Sequence, residues 1–390
     1  MQNTHRSYLN GTSKTDAPEI NEIEISVFGP GYGENILLHI GNENWLLIDS
    51  CVDPVNKEPS PIKYLRNIGI DPSKAVKLIV ASHWHDDHVR GLAEIIRQCS
   101  SAEFVVSNAL RTKEFLTLVY ALGKRSMMET SGVQEFYEIL EILKERVQSK
   151  HGNTELLKYA ISDRLIWRSS TSSSASHLSC EVHSLSPSDE STTIGVKNIG
   201  GLLPVKGQLK TRALAMTPNH AAVVLWIKVG SMYILLGSDL EETDNPKTGW
   251  SIIVDSTTRP QEKAVFFKIS HHGSKNGDYQ PVWDRMLVPN PLVGLTPFIR
   301  GNLILPKKSD VTRICQRTPN AYSTAFPKQK RLKHKDKVVE KTIRETVKEI
   351  REIIPSTGHI RLRSKDIGPP INWKIDLFGD AIPLEEFYKK

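Results

Sequence analysis

Between residues 23 and 49 apolar positions alternate with polar ones and glycines punctuate the pattern. EIEISVFG, ENILLHIG and NWLLIDS read as three strands, with Gly29, Pro30, Gly31 and Gly33 marking the first turn and Gly41-Asn42 the second. The run AVKLIVAS (75–82) is continuously apolar and of strand length, so a strand buried on both faces is expected there. Further strands are expected at 178–185, 221–229 and 231–236, with Gly230 in a tight hairpin between the last two. Others are expected at 264–270, 292–296, 321–324 and 358–363. Helical spacing occurs at 61–68, at about 87–98 with Leu92, Ile95 and Ile96 on one face, and near 309–316.

The same pattern divides the chain. Residues 1–20 read as a flexible N-terminal tail, and 21–326 as the main domain. Within it, 108–160 reads as a helical insertion whose strongest helix carries Phe136, Ile139, Leu140, Ile142 and Leu143 as its stripe. Residues 169–176 form a Ser-rich loop. Residues 188–216 lack periodicity and are expected as a long loop near the site. Residues 327–355 read as a basic amphipathic helix: 328–352 holds ten Lys or Arg and five acids, with Val339, Ile343, Val347, Ile350 and Ile354 at helical spacing in and just past it. Residues 356–390 return to the main domain as its closing strand and C-terminal segment. There is no internal repeat.

Composition narrows the class. At 390 residues, 39% hydrophobic and 24% charged, the chain can bury a large core, which excludes a mainly disordered protein. Lys plus Arg number 51 against 44 Asp plus Glu, a formal +7 that mildly favours an anionic partner. Cys51, Cys99, Cys180 and Cys315 are far apart and form no CxxC pair, so neither a disulfide framework nor a zinc ribbon is expected. Reduced thiols fit a cytoplasmic location. The first residues, MQNTHRSYLNGTSKTDAPE, are polar, and no secretion signal is expected. The longest apolar stretch, 221–236, is broken by Lys228, Gly230 and Ser231, short of the ~20 apolar residues that a membrane span needs.

The chemistry concentrates in Ser82-His83-Trp84-His85-Asp86-Asp87-His88, at the mouth of the 75–82 strand. His83 and His85, two apart, can face one ion from an extended turn; Asp87 and His88 then turn towards a second. Neutral imidazoles and carboxylates suit zinc, manganese or iron. Such a polar cluster after a buried strand is costly unless something pairs it. Leu235-Leu236-Gly237-Ser238-Asp239 places a carboxylate at another strand end. Ser270-His271-His272-Gly273-Ser274 places two histidines at a third. Sites in α/β folds gather at strand ends, so all three ends are expected to converge.

His83-x-His85-x-Asp87-His88 resembles the HxHxDH signature of the metallo-β-lactamase superfamily. The finer resemblance is to the soluble metallo-β-lactamase domain of the ComEC competence protein and its stand-alone relatives. It is carried by Gly31-Tyr32-Gly33-Glu34-Asn35 with ILLHIGNENWLLIDS, by Asn219-His220-Ala221-Ala222-Val223-Val224-Leu225 before LLGSDLE, by KISHHGS and by TGHIRLR. The match runs from about residue 22 to 326 and resumes near 356. It implies an α/β, four-layer αβ/βα sandwich with two mixed sheets flanked by helices. It also implies a site for two divalent metal ions, with zinc first and manganese as the other candidate.

By position, the resemblance implies His83 and His85 on one ion, Asp87 and His88 on the other, and Asp239 bridging. One of His271 and His272 would complete the second site; His272 is favoured as ligand and His271 as a hydrogen-bond donor to the substrate oxyanion. Asp49 would orient a ligand histidine. His220 stands where relatives often carry Ser or Asn, and is either an added ligand for the first ion or a neighbour. Glu34 replaces the usual Asp at the rim. Asp87 would orient a metal-bridged hydroxide as nucleophile. Ser274 and Lys275 are either phosphate contacts or a plain Gly-Ser-Lys turn.

The resemblance points to a metal-dependent hydrolase, first a phosphodiesterase or nuclease whose partner is a nucleic acid or another phosphodiester. The basic helix would track a phosphate backbone or pack on the core. No basic patch interleaved with aromatics is visible. The alternatives are a hydrolase of a small ester or amide, with 188–216 closing its pocket, and an accessory subunit of a multiprotein assembly. Stand-alone relatives of this kind occur beside ATPases in antiphage defence systems, where 108–160 and the basic helix would dock a protein partner. No membrane partner is expected.

Overall fold

Strand Trp45–Val52 is buried along its whole length, because both of its faces are covered. Leu47 packs outward against helices, while Leu46 and Ile48 pack inward against a second sheet. The alternation of Ile23, Ile25 and Val27 with Glu24, Ser26 and Phe28 has the same cause: the first set lines the space between the sheets, the second the outer face. The computed structural model describes residues 7–9, 16–122, 132–149, 157–169, 178–203, 219–300, 303–327, 329–331, 337–346, 351–353, 357–368 and 370–389.

Two large sheets face each other. The first has nine strands: Ser7–Leu9, Lys374–Gly379, Thr357–Ser364, Ile23–Pro30, Tyr32–His39, Trp45–Val52, Val76–Ala81, Glu103–Ser107 and Leu157–Ala160, in that spatial order. The second has eight: Ile382–Pro383, Ala321–Ser323, Leu287–Leu295, Ala264–Lys268, Met232–Leu236, Leu225–Val229, Cys180–Ser184 and Arg164–Arg168. Both are mixed, and each has four successive parallel strands at one end or in its middle. Helices Ser60–Asn67, Leu92–Gln98, Lys113–Leu122 and Gly132–Ser149 cover the first sheet; Gly249–Asp255, Gln280–Arg285 and Lys308–Arg317 cover the second. The layers are therefore helix, sheet, sheet, helix, with one apolar core between each neighbouring pair.

Several expected elements take a different form. The 87–98 helix is two pieces, Asp86–Val89 and Leu92–Gln98, broken where Gly91 adopts φ +83°. The 108–160 segment is not helical throughout: after helices Lys113–Leu122 and Gly132–Ser149 it ends as the edge strand Leu157–Ala160. Both helices bury Phe115, Phe136 and Ile139 in the outer core. The expected 188–216 loop begins with helix Asp189–Leu202, capped by the Ser188 hydroxyl. Its three glycines and β-branched residues hide it from periodicity, and packing overrides propensity. Residues 204–218, and all but one residue of the Ser-rich loop, lie outside the described residues.

Among the described residues, the expected basic helix 327–355 is helical over Lys337–Thr346, while Gln329–Arg331 and Arg351–Ile353 are strands that pair antiparallel. The tail is not loose throughout: Ser7–Leu9 joins the first sheet's edge, and Asp16 bonds the Arg363 guanidinium. Elements that the pattern did not predict include strands Glu103–Ser107, Arg164–Arg168 and Lys374–Gly379, helices Gly249–Asp255 and Gln280–Arg285, and the hairpin Phe298–Arg300 with Leu303–Leu305. Among the described residues no helix is long and apolar enough to cross a membrane. All four cysteines are unpaired.

Candidate metal centre

The C-terminal ends of interior parallel strands from the two sheets lead into one cluster. Strand Val76–Ala81 leads into His83, His85, Asp87 and His88; Met232–Leu236 leads into Asp239; Ala264–Lys268 leads into His271 and His272. Four side chains bring ligand atoms within 4.8 Å of one another: Asp87, His88, Asp239 and His272. Asp239 is central. Its Oδ1 lies 3.4 Å from His88 Nε2, and its Oδ2 lies 3.5 Å from His272 Nε2 and 3.9 Å from His83 Nε2. Asp87 Oδ2 is 3.5 Å from His272 Nε2 and 3.8 Å from His88 Nε2. The His83 and His85 rings meet edge to face with centroids 4.6 Å apart.

The backbone is strained to achieve this. Asp49, Ser238, His271 and His272 have φ of 60°, 48°, 45° and 53°, left-handed values that non-glycine residues seldom adopt. Each costs on the order of 1–3 kcal/mol, and such strain survives only where the surroundings fix it. Close packing supplies that restraint. A Cβ on Gly33 would lie 2.4 Å from the Asp87 carbonyl, so Tyr32–His39 and the histidine loop touch backbone to backbone.

Neighbouring groups aim the imidazoles. Asp49 Oδ2 accepts from His88 Nδ1 at 2.8 Å, while its Oδ1 accepts from the Ser82 amide at 2.7 Å and Oδ2 also from the Ser82 hydroxyl at 2.6 Å. The Thr296 carbonyl accepts from His272 Nδ1 at 2.9 Å. Both contacts leave Nε2 turned to the cluster. Glu34 Oε2 is 3.9 Å from His272 Nδ1, and Glu34 Oε1 accepts from the buried Lys268 ammonium at 2.7 Å. The structure thus places Glu34 in the interior rather than at a rim.

Charge is unbalanced without a cation. Burial opposes a charged His88, yet Asp239, Asp49 and Asp87 outweigh it and hold its pKa well above the ordinary imidazole value. Burial likewise opposes a charged His272, but Asp239, Asp87 and Glu34 push it up to about 10. Burial, with His88 and His85, drives His83 down. Despite burial, His88 and His272 hold Asp87, and His272 and His88 hold Asp239, below the usual carboxylate range. His83 Nε2, His88 Nε2 and Asp239 Oδ1 are buried and have no hydrogen-bond partner. Buried polar atoms are rarely left so, and imidazole and carboxylate are donors for zinc or manganese. The residues present therefore fit a divalent cation.

The metallo-beta-lactamase superfamily model matches residues 29–243, more than half of the chain. The chain belongs to the metallo-β-lactamase superfamily. No curated protein matches it. Among solved structures it is similar to the Rm3 metallo-β-lactamase (16% identity, 60% of this chain and 66% of that one, TM-score 0.28). It is also similar to the metallo-β-lactamase fold protein YhfI from Bacillus subtilis (13%, 63% and 69%, 0.29). A third is MEM-A1, a subclass B3 metallo-β-lactamase from a soil metagenome library (12%, 67% and 83%, 0.32). The chain spans about two thirds of the length of the first two. Membership in the superfamily and the His/Asp cluster together support a metal-dependent hydrolase.

Other residues singled out from sequence lie around this centre. His220 shares a small cavity of about 40 Å³ with His83 and His85; its Nδ1 is buried without a hydrogen-bond partner, and Glu241 is the nearby carboxylate. His271 stays outside the four-residue cluster: its Nδ1 meets Ser274 Oγ at 3.0 Å and Asn276 Oδ1 at 3.1 Å, and its Nε2 is 3.8 Å from Glu241 Oε1. Ser274 is buried in that network, and Lys275 is exposed on the following turn. Sequence reading missed Lys268, Thr296 and Glu241. The one signal was Lys268, a lone charge inside AVFFKIS.

Proposed function

We propose that this chain is a metal-dependent phosphodiesterase acting on nucleic acid in the cytoplasm. The observation that carries the reading is a cleft of about 370 Å³ lined by Asp87 and His272 of the cluster together with Arg90 and Arg300. Two guanidiniums beside a cation-binding cluster favour an anionic substrate, and arginine suits phosphate oxygens. Asp86 also lines the cleft, but its carboxylate accepts from the Gly132 amide at 2.6 Å, at the start of an 18-residue helix whose dipole favours negative charge.

In this reading His83 and His85, with His220 beside them, would hold one cation; Asp87, His88 and His272 would hold the other, and Asp239 would serve both. Such cations supply Lewis acidity and acidify water near neutral pH. Asp87 is the most exposed of the four clustered residues. As an ionised carboxylate it orients the attacking water and accepts a hydrogen bond from it. The water oxygen bonds to phosphorus, the phosphorus–oxygen bond to the leaving alcohol breaks, and a proton ends on that alcohol. Arg90 and Arg300 offset charge on the non-bridging oxygens. Asp49 and the Thr296 carbonyl keep His88 and His272 aimed.

The test is cleavage of single-stranded DNA, RNA and bis(p-nitrophenyl) phosphate by purified protein loaded with zinc or manganese. Activity that disappears in His85→Ala and Asp239→Asn is expected, and absence of cleavage with either metal sinks the reading. The cleft's modest volume favours a second reading, a compact ester or amide substrate. Faster turnover of neutral p-nitrophenyl esters than of phosphodiesters would favour it.

A further inference from the structure

The hairpin formed by Phe298–Arg300 and Leu303–Leu305 stands outside both large sheets, and its first strand lines the cleft. It follows directly on Thr296, whose carbonyl aims His272. Phe298 packs against the His272 ring with centroids 5.4 Å apart and planes 40° apart, so the hairpin is seated on the metal centre. Phe298 and Arg300 are two apart on one strand and therefore share a face. Pro297 and Ile299 add apolar lining beside the half-buried phenyl ring, and Pro30 and Arg90 also line the cleft.

An apolar aromatic wall beside two guanidiniums matches one kind of ligand: a flat aromatic group joined to a phosphate. We infer that this hairpin is a nucleobase subsite, with Phe298 stacking an unpaired base and Arg300 taking the phosphate attached to it. The inference rests on the phosphodiesterase reading and narrows its substrate to nucleotides free of pairing. A cleft of about 370 Å³ holds roughly one nucleotide, not a duplex. Bases stack on aromatic side chains whatever their identity, so the subsite selects single strands rather than sequence. Sequence reading found no basic patch with interleaved aromatics, because Arg90 lies about 200 residues from the Phe298-Ile299-Arg300 stretch.

Two measurements test it. In the first, thymidine 5′-monophosphate and methyl phosphate are titrated calorimetrically into the purified chain, which needs no turnover. The nucleotide binds about tenfold tighter than methyl phosphate, the size expected of one base stack. Phe298→Ala removes that difference, Phe298→Tyr restores it, and Arg300→Ala weakens both ligands. Equal binding of the two phosphates, no binding of either, or a difference that survives in Phe298→Ala overturns the subsite. In the second, cleavage of a single-stranded oligonucleotide is compared with that of a blunt duplex of the same sequence. The single strand is cut at least tenfold faster, and equal rates overturn the requirement for an unpaired base. If the nucleotide binds as expected but no phosphodiester is cut, the phosphodiesterase reading fails while the subsite stands.

Discussion

Asp49 Oδ2 lies 2.8 Å from His88 Nδ1, and both side chains are fully buried. This fixes the proton on Nδ1 and leaves Nε2 for the cluster. The carboxylate is itself held by the Ser82 amide and hydroxyl. Partners of this kind are worth about 10–100-fold in metal affinity. Asp49→Asn keeps an acceptor for the Ser82 amide but weakens the hold on His88. Its zinc affinity, measured against a competing chelator, should fall within that range while the circular dichroism stays unchanged. Wild-type affinity in the folded variant would remove Asp49 from this role.

The unbalanced charge of the centre has a pH consequence. In cation-free protein, His272 is raised from the ordinary 6.5 to about 10, chiefly by Asp239 acting against burial. A group raised on folding contributes stability that is complete below its unfolded pKa and is lost as pH climbs through the folded one. Chelator-treated protein should therefore lose thermal stability between pH 6.5 and 10. Metal-loaded protein should lose less, because a cation rather than a proton offsets Asp87 and Asp239. Melting temperatures taken across that range with and without chelator check this; parallel curves would contradict it.

Much of this centre was legible in the sequence because its residues are compressed into short motifs at strand ends. The histidine loop packs three imidazoles and two carboxylates into six residues, and strand ends in such folds converge. Beyond Asp49, what supports the loop was not legible. Glu34 and Lys268 are 234 residues apart, and each is a single charge in an apolar strand. Helix Asp189–Leu202 lacks an apolar period since only Ile199 among its hydrophobic residues is fully buried. The Phe298 hairpin is three residues per strand, too short for any alternation to register.

Helix Gly132–Ser149 braces the segment that follows the histidine loop through Glu135. Glu135 Oε1 accepts from the Gly91 amide at 2.8 Å and Oε2 from the Ala93 amide at 3.2 Å, at the first turn of Leu92–Gln98. Gly91, at the N-terminus of that helix, has no side chain to cap it. Glu135→Ala should cost about 1 kcal/mol, the usual worth of an N-terminal cap. Amide exchange at Gly91 and Ala93 should accelerate more than in helix Lys308–Arg317, which is capped independently. Uniform acceleration would point to a general loss of packing.

The Glu34–Lys268 pair joins the two sheets beneath the metal centre. Its atoms are 2.7 Å apart, and both side chains are inaccessible to water. Lys268 also donates to the Ile269 carbonyl at 3.1 Å, while Glu34 Oε2 has no hydrogen-bond partner and sits 3.9 Å from His272 Nδ1. Removing one partner of a buried pair leaves the other charge uncompensated, at a cost of about 3–5 kcal/mol; replacing both is often neutral. Lys268→Met should thus lower unfolding free energy in urea by roughly that amount, and Glu34→Gln should do likewise. The double variant should recover most of the loss. It should bind metal less tightly than wild type, because His272 then lacks the carboxylate beside its Nδ1. If the single losses simply add in the double variant, the pair is not coupled, and the two sheets are held here by packing alone.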